Sequence, residues 1–145
     1  MFDELEKYPF TNHFFVMQST NLKAVCNAPT DKSGVYIVYA LKNGHIELVY
    51  IGCSGKKGKD SAISIRKSGL GGIKDRIVNG YQFGRISRRI SWINQMKTEK
   101  IEALDVYWFV THDDNFNDCP REVEKIILQK HLDIYGEYPR WNKKG

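Results

Sequence analysis

Alternating β-branched and aromatic residues mark two stretches, 34–41 and 46–53, separated by Lys42-Asn43-Gly44-His45. That pattern, with an Asn-Gly between the two runs, predicts a β-hairpin. A third strand is predicted at 104–110, where Leu104, Val106, Trp108 and Val110 alternate with Asp105, Tyr107 and Phe109. Helical spacing predicts a short helix at 73–79 and a second at 85–97. A last helix opens near Pro120, a favoured first-turn residue, and runs to about Tyr135, where Gly136 stops it. Residues 1–33 hold Phe2, Tyr8, Phe10, Phe14 and Phe15 without a clean period, and so read as an extension packing on the core. Residues 54–72 are a Gly/Lys/Ser-rich loop too polar to pack. The expectation is one α+β domain over 34–145 behind that extension.

Reading the helices at 100° per residue isolates two polar side chains on apolar faces. In the last helix Val123, Ile126, Ile127 and Ile134 form an apolar arc that Leu128, Leu132 and Tyr135 extend. Glu124 and His131 fall inside that sector, while Glu122, Lys125, Gln129 and Asp133 gather opposite. A carboxylate on an apolar face costs free energy unless it has a partner or a metal. Arg76 shows the same anomaly beside Ile73 and Ile77, where Lys74 and Asp75 are expected to point away. The plain structural alternative is an ion pair between Arg76 and an acid such as Glu124. In the 85–97 helix, Ile86, Ile90, Ile93 and Met96 are the expected core face, with Arg85, Arg88 and Trp92 along one edge.

Charge adds a partner. Residues 56–89 carry ten Lys or Arg against two Asp, a net +8, while the rest of the 145-residue chain is slightly acidic. Such a block suits a polyanion, because neutralised phosphates release counterions. Lys56, Lys57, Lys59, Arg66, Lys67, Lys74, Arg85, Arg88 and Arg89 are the expected backbone-gripping cations. No stretch approaches the roughly 20 apolar residues of a spanning helix, and the acidic start lacks the basic flank of a secretory signal. Cys26, Cys53 and Cys119 form no C-x-x-C pair, so neither a disulfide framework nor a zinc site is expected, and a reducing cytoplasm is the simplest home.

The ordered residues Gly34-Val35-Tyr36, Tyr50-Ile51-Gly52, Gly72-Ile73-Lys74-Asp75-Arg76, Glu122-Val123-Glu124 and Pro139-Arg140-Trp141-Asn142 resemble the motifs of the GIY-YIG nuclease family. The likeness spans 34–142. It implies a small three-stranded antiparallel sheet flanked by helices, and metal-dependent cleavage of nucleic acid. By that resemblance Tyr36, Tyr50, Arg76, Glu124 and Asn142 are the catalytic set. Glu124 would hold one Mg²⁺ or Mn²⁺ on the scissile phosphate, and Arg76 would neutralise charge developing on phosphorus. One tyrosine would help activate water. Tyrosine is a poor base at its ordinary pKa of about 10, so the metal or Arg76 must lower it. Tyr50 is the favoured base, with Tyr36 orienting the water and Asn142 buttressing by hydrogen bonds. The implied substrate is DNA, with RNA not excluded. Restriction-like members carry insertions like the one between Gly52 and Arg76, which tilts the reading towards a double-strand cutter working as a homodimer. Alternatives are a structure-specific or repair nuclease, and a binding module on the same fold. An unrelated small domain whose basic loop binds RNA is a third. A histidine common in the family one turn after the arginine is replaced by Gly80, for which Tyr81 or Lys74 is the expected substitute.

The hairpin carries a geometric condition. Residues opposite each other in an antiparallel pair share a face. Tyr36 and Tyr50 therefore converge only if paired numbers sum to an even value. A plain Asn43-Gly44 turn pairs Lys42 with His45, an odd sum, so an odd-length loop or a bulge is predicted.

Other patterns carry less. Asp113 to Glu124 mimics a calcium-loop spacing, but the sixth place is Asp118 rather than glycine and Pro120 interrupts it, so a turn is expected. His13, His45 and His112 are expected at the surface, Cys53 in a buried strand, and Tyr107, Trp108 and Phe109 in core and sheet packing.

Overall fold

The computed structural model describes residues 2–57, 63–64 and 72–142. The chain enters through a single 3₁₀ turn, Asp3–Leu5, then forms strand β1 (Thr11–Met17) and a short helix α1 (Leu22–Val25). The hairpin follows as β2 (Ser33–Lys42) and β3 (His45–Ser54), then a two-residue ribbon, β4 (Lys56–Lys57) with β5 (Ile63–Ser64). Helices α2 (Gly72–Asn79) and α3 (Arg88–Glu99), strand β6 (Ala103–His112) and helix α4 (Pro120–Tyr135) complete the fold. It is α+β: the main sheet is antiparallel throughout, in the order β1-β6-β2-β3.

That sheet has four strands rather than three, because β1 pairs with β6 along its whole length, from Thr11 opposite Phe109 to Met17 opposite Ala103. Phe14 and Val16 are buried while Phe15 and Met17 stay largely exposed, and apolar residues on both faces erase the alternation that would reveal a strand.

Each face of the sheet carries its own core. On one face Tyr36, Val38, Ala40, Val49, Leu104, Val106 and Trp108 pack with Ile73, Ile77, Trp92 and Met96 from α2 and α3. On the other, Val35, Ile37 and Ile51 pack with Val123 and Ile127 from α4 and with Leu5 and Tyr8 from the N-terminal turn. Burial on both faces explains why β2 reads as a nearly continuous apolar run. The solvent-facing sides differ from the helical-wheel expectation. In α4 the buried stripe is Pro120, Val123, Ile127 and His131, whereas Ile126 and Ile134 are exposed. In α3 the buried stripe is Arg88, Ser91, Trp92 and Met96, and Ile86 and Ile90 lie outside it. An arginine can replace isoleucine inside only if its donors are satisfied, and those of Arg88 are, as described below. Asp75 is likewise buried rather than pointing outward, with Asn79 donating to it at 2.9 Å.

β3 is an edge strand, and the C-terminal segment closes the stretch beside the bulge. Trp141 donates its backbone N–H to the Val49 carbonyl at 2.8 Å. The Asn142 amide both accepts from Ile51 N–H and donates to Ile51 C=O, each at 2.8 Å. Arg140 and Trp141 fasten the segment further, bonding Glu99 at 2.9 and 3.0 Å while Arg140 also grips Glu47 at 2.7 Å. Burial alone would raise the Glu99 pKa, but hydrogen bonds from Arg140, Gln95 and Trp141 outweigh it and hold the carboxyl below its ordinary value. A depressed folded-state pKa stabilises above the unfolded carboxyl pKa, and that contribution disappears as pH falls through the folded value. Glu99→Gln is therefore expected to cost about 1 kcal/mol near neutrality and progressively less at acid pH, as the folded-state carboxyl is titrated. Urea unfolding of both chains at neutral and acid pH checks it, and a constant difference would refute the assignment.

Candidate active site

The turn between β2 and β3 is the two-residue Asn43-Gly44 type, with φ of 51° and 75° and Lys42 opposite His45. The tyrosines nonetheless converge, because a bulge lies further along the hairpin. Tyr39 pairs with Leu48 but Val38 pairs with Tyr50, leaving Val49 as the extra residue of β3. Val49 and Tyr50 consequently both join the core on the α2/α3 face, and beyond the bulge Tyr36 stands opposite Gly52. The two tyrosine rings lie 6.0 Å apart, centroid to centroid, tilted by 39°. Gly52 makes room for them. A β-carbon at 52 would meet the Tyr36 hydroxyl and the Tyr50 ring edge at 2.7 Å each.

Tyr36 is completely buried, and among the described residues its hydroxyl has no hydrogen-bond partner. Burial raises its pKa well above the ordinary tyrosine value, with the positive charges of Arg88 and then Arg76 opposing the rise. Tyr36 is therefore a neutral hydroxyl at physiological pH, suited to orienting a water molecule and not to removing a proton from it.

Arg88 lies beneath the pair. It is 1% exposed, which corrects the expectation that it grips a nucleic-acid backbone at the surface. Its Nε donates to Gln82 Oε1 at 2.9 Å, Nη1 to the Arg76 carbonyl at 2.6 Å and Nη2 to the Tyr50 hydroxyl at 3.1 Å. The guanidinium also sits within 5.3–5.7 Å of the ring centroids of Tyr50, Tyr36 and Trp92. Trp92 donates its indole N–H to the same Gln82 oxygen at 2.9 Å, so Gln82 ties the start of α3 to this cluster. Neither Arg88 nor Gln82 stands out in the sequence, one being lost in a basic block and the other in a turn. The helical spacing Arg88, Trp92, Met96 is the signal that places the arginine on a buried face.

Arg76, half-buried on α2, is the cation whose charge acts on both Tyr36 and Cys53. Glu124, half-buried on α4, reaches the site from the opposite face of the sheet, where the Cys53 thiol hydrogen-bonds to it. Burial first, and the Glu124 charge second, push that thiol up to about 12, while Arg121 and Arg76 oppose the rise. Tyr36, Tyr50 and Arg76 thus gather on the α2/α3 face and Glu124 stands across the strand at Cys53. The site straddles β3. Asn142 contributes no group to it directly, because its amide is spent on the Ile51 backbone between the two halves.

Arg85 and Arg89 are exposed and Lys74 is half-buried. Lys56 and Lys57 lie on β4, and Lys59, Arg66 and Lys67 fall outside the described residues. Of the two substitutes for a side chain at Gly80, Tyr81 is 64% exposed and the Lys74 charge acts at Cys26. The space above Gly80 is filled by the Arg88 guanidinium, which a β-carbon at 80 would overlap. His131 is buried and bonds the Glu137 carbonyl at 2.7 Å, a structural role two helical turns beyond Glu124. His13 is not a plain surface residue, since it stacks on Tyr107 and contacts Asp105 at 2.7 Å. Asp113 closes a turn by accepting from the N–H groups of Asn115 and Phe116 at 2.8 and 3.0 Å, as its sequence predicts.

The donor chemistry tests whether a divalent ion suits this site. Among the described residues, no three His, Cys, Asp or Glu side chains gather as a metal cage. Glu124 stands across β3 from the tyrosine pair, and a single carboxylate of that kind suits a hard ion that keeps several waters and borrows substrate oxygens. It does not suit a closed structural zinc. Also among the described residues, no helix is long and apolar enough to cross a membrane. Comparisons with family models, with curated proteins and with solved structures return no match for this chain.

Proposed function

We propose that the chain is a GIY-YIG-type endonuclease that hydrolyses phosphodiester bonds in DNA with the help of Mg²⁺ or Mn²⁺. The observation that carries this reading is the bulge at Val49, which turns Tyr50 onto the face of Tyr36 beside two arginines. A strand that only packs a core has no need of that extra residue.

The chemistry assigns each group one task. The attacking water bonds to phosphorus as the P–O bond to the leaving alcohol breaks. One water proton passes to the Tyr50 oxygen, which must be in its phenolate form to accept it, and the leaving oxygen takes a proton from solvent. Tyr36, held neutral by burial, orients the water. Arg76 supplies preorganised positive charge to the developing pentavalent phosphorus. Glu124 would hold the divalent ion, which supplies Lewis-acid charge to the phosphate oxygens when bound. The exposed Arg85 and Arg89 are available to phosphates further along the strand.

Incubation of supercoiled plasmid and of branched duplexes with Mg²⁺, with and without EDTA, tests the reading. Discrete fragments that disappear with EDTA are expected, and their pattern separates site-specific from structure-specific cutting. Salt-dependent binding without any cutting would leave the fold as a nucleic-acid-binding module and end the nuclease proposal.

A further inference from the structure

We propose that Arg88 is the positioning residue of the tyrosine pair: from the space left open at Gly80 it holds the Tyr50 hydroxyl by a donated N–H and so selects that oxygen as the proton acceptor. This rests on the nuclease reading for its catalytic meaning and on geometry alone for the contact itself.

Three observations point the same way. First, Arg88 is 1% exposed, and among the described residues none of its hydrogen bonds goes to a carboxylate. Its partners are an amide oxygen, a backbone carbonyl and the Tyr50 hydroxyl. A buried guanidinium is costly, and one answered only by neutral acceptors keeps its positive charge unneutralised towards whatever it faces. Second, what it faces is the tyrosine pair, with the charge 5.3 Å from the Tyr50 ring centroid and 5.6 Å from that of Tyr36. Third, the chain keeps the way clear. Gly80 places no side chain in this space, its carbonyl accepts from the backbone N–H of Arg88 at 2.9 Å, and a β-carbon there would overlap Nη1.

The geometry separates the two tyrosines. Tyr50 accepts from Nη2, so its own proton turns away from Arg88, and an oxygen that has lost that proton stays hydrogen-bonded to a cation. Among the described residues Tyr36 makes no such bond. The same guanidinium therefore divides the roles, one hydroxyl held for proton transfer and the other left to orient water.

The test compares the wild type with Arg88→Gln, Arg88→Lys, Tyr50→Phe and the Arg88→Gln/Tyr50→Phe double variant, with two readouts. One is cleavage of a DNA duplex with Mg²⁺. The other is the ¹³C resonance of the Tyr50 ζ-carbon in metal-free, tyrosine-labelled protein, assigned by its loss in Tyr50→Phe. Arg88→Gln is expected to lower kcat about 10–100-fold with KM nearly unchanged. It is also expected to move the Tyr50 resonance while leaving that of Tyr107 in place. Arg88→Lys should recover part of both effects, and the double variant should cut no worse than Tyr50→Phe. Should Arg88→Gln fail to fold, Arg88→Lys carries the same comparison, since it keeps the charge and changes the hydrogen bonds.

A folded Arg88 variant with an unmoved Tyr50 resonance overturns the proposal, and so do losses that multiply in the double variant. A wild type that cuts nothing while the Tyr50 resonance still follows Arg88 ends the nuclease reading and leaves the positioning contact established. Cutting with an unmoved resonance has the opposite meaning.

Discussion

Glu124→Gln is expected to reduce cleavage about 10²–10³-fold while leaving the fold, and binding of uncut DNA, close to those of the wild type. The substitution keeps the shape of the side chain and an oxygen that can still accept from the Cys53 thiol, so it removes charge alone. The carboxylate stands on the α4 face, next to the strand that carries Tyr50, and among the described residues it is the acidic side chain that acts on the Cys53 thiol. A second readout shows whether the change stays local. The thiol of Cys53 is pushed up to about 12 by burial and then by the Glu124 charge. Removing the charge should lower it and speed alkylation of Cys53, whereas Cys26 and Cys119 remain buried and slow. Full cleavage by Glu124→Gln would remove this residue from the mechanism, and an unchanged alkylation rate would mean that it does not govern Cys53.

Gly34→Ala is expected to cost about 3–5 kcal/mol, enough to leave little folded protein at 37 °C. Between Ser33 and Gly34 the register of β2 against β6 shifts, and Gly34 faces Val110 immediately beyond that irregularity. A β-carbon there would fall on the backbone carbonyl of Phe109, and the Ile73 side chain stands 3.0 Å from the same point. The carbonyl cannot swing aside as a side chain would, because it belongs to the strand between β1 and β2. One of the two central strands would have to move. Gly52→Ala makes a useful contrast, since its β-carbon meets side-chain atoms of Tyr36 and Tyr50 and should disturb the site more than the sheet. Thermal melts of both variants decide it: a Gly34→Ala midpoint within about 2 °C of the wild type would refute the argument.

The amino-acid sequence disclosed the hairpin because its two apolar runs bracket an Asn-Gly turn. Parity also required an irregularity if the tyrosines were to meet, and the structure places it at Val49. Glu124 stands out as a carboxylate among apolar neighbours on a helix; it lies half-buried beside Val123 and Ile127, while Ile126 and Ile134 of that expected arc are exposed. Strand β1 was not legible, because Phe14 and Val16 point inward while Phe15 and Met17 point outward, and a residue-by-residue pattern cannot separate them. The inward face of α3 was hidden by a reversal of the usual preference, with Ile86 and Ile90 outside and Arg88 inside. Hydrophobicity ranks isoleucine above arginine everywhere. It takes Gln82, the Arg76 carbonyl and Tyr50, brought together from three separate elements, to invert that order at one position.

The extra residue at Val49 has a consequence for how such a chain can diverge. A two-residue turn with one bulge and a three-residue turn with none place Tyr36 and Tyr50 on the same face. A lineage can therefore trade an insertion near Asn43-Gly44 for a deletion at Val49 without displacing either ring. What such a trade must keep is an odd number of unpaired residues, turn and bulge together, between the two tyrosines. Ancestry in this hairpin is then written in remainders rather than in spacings.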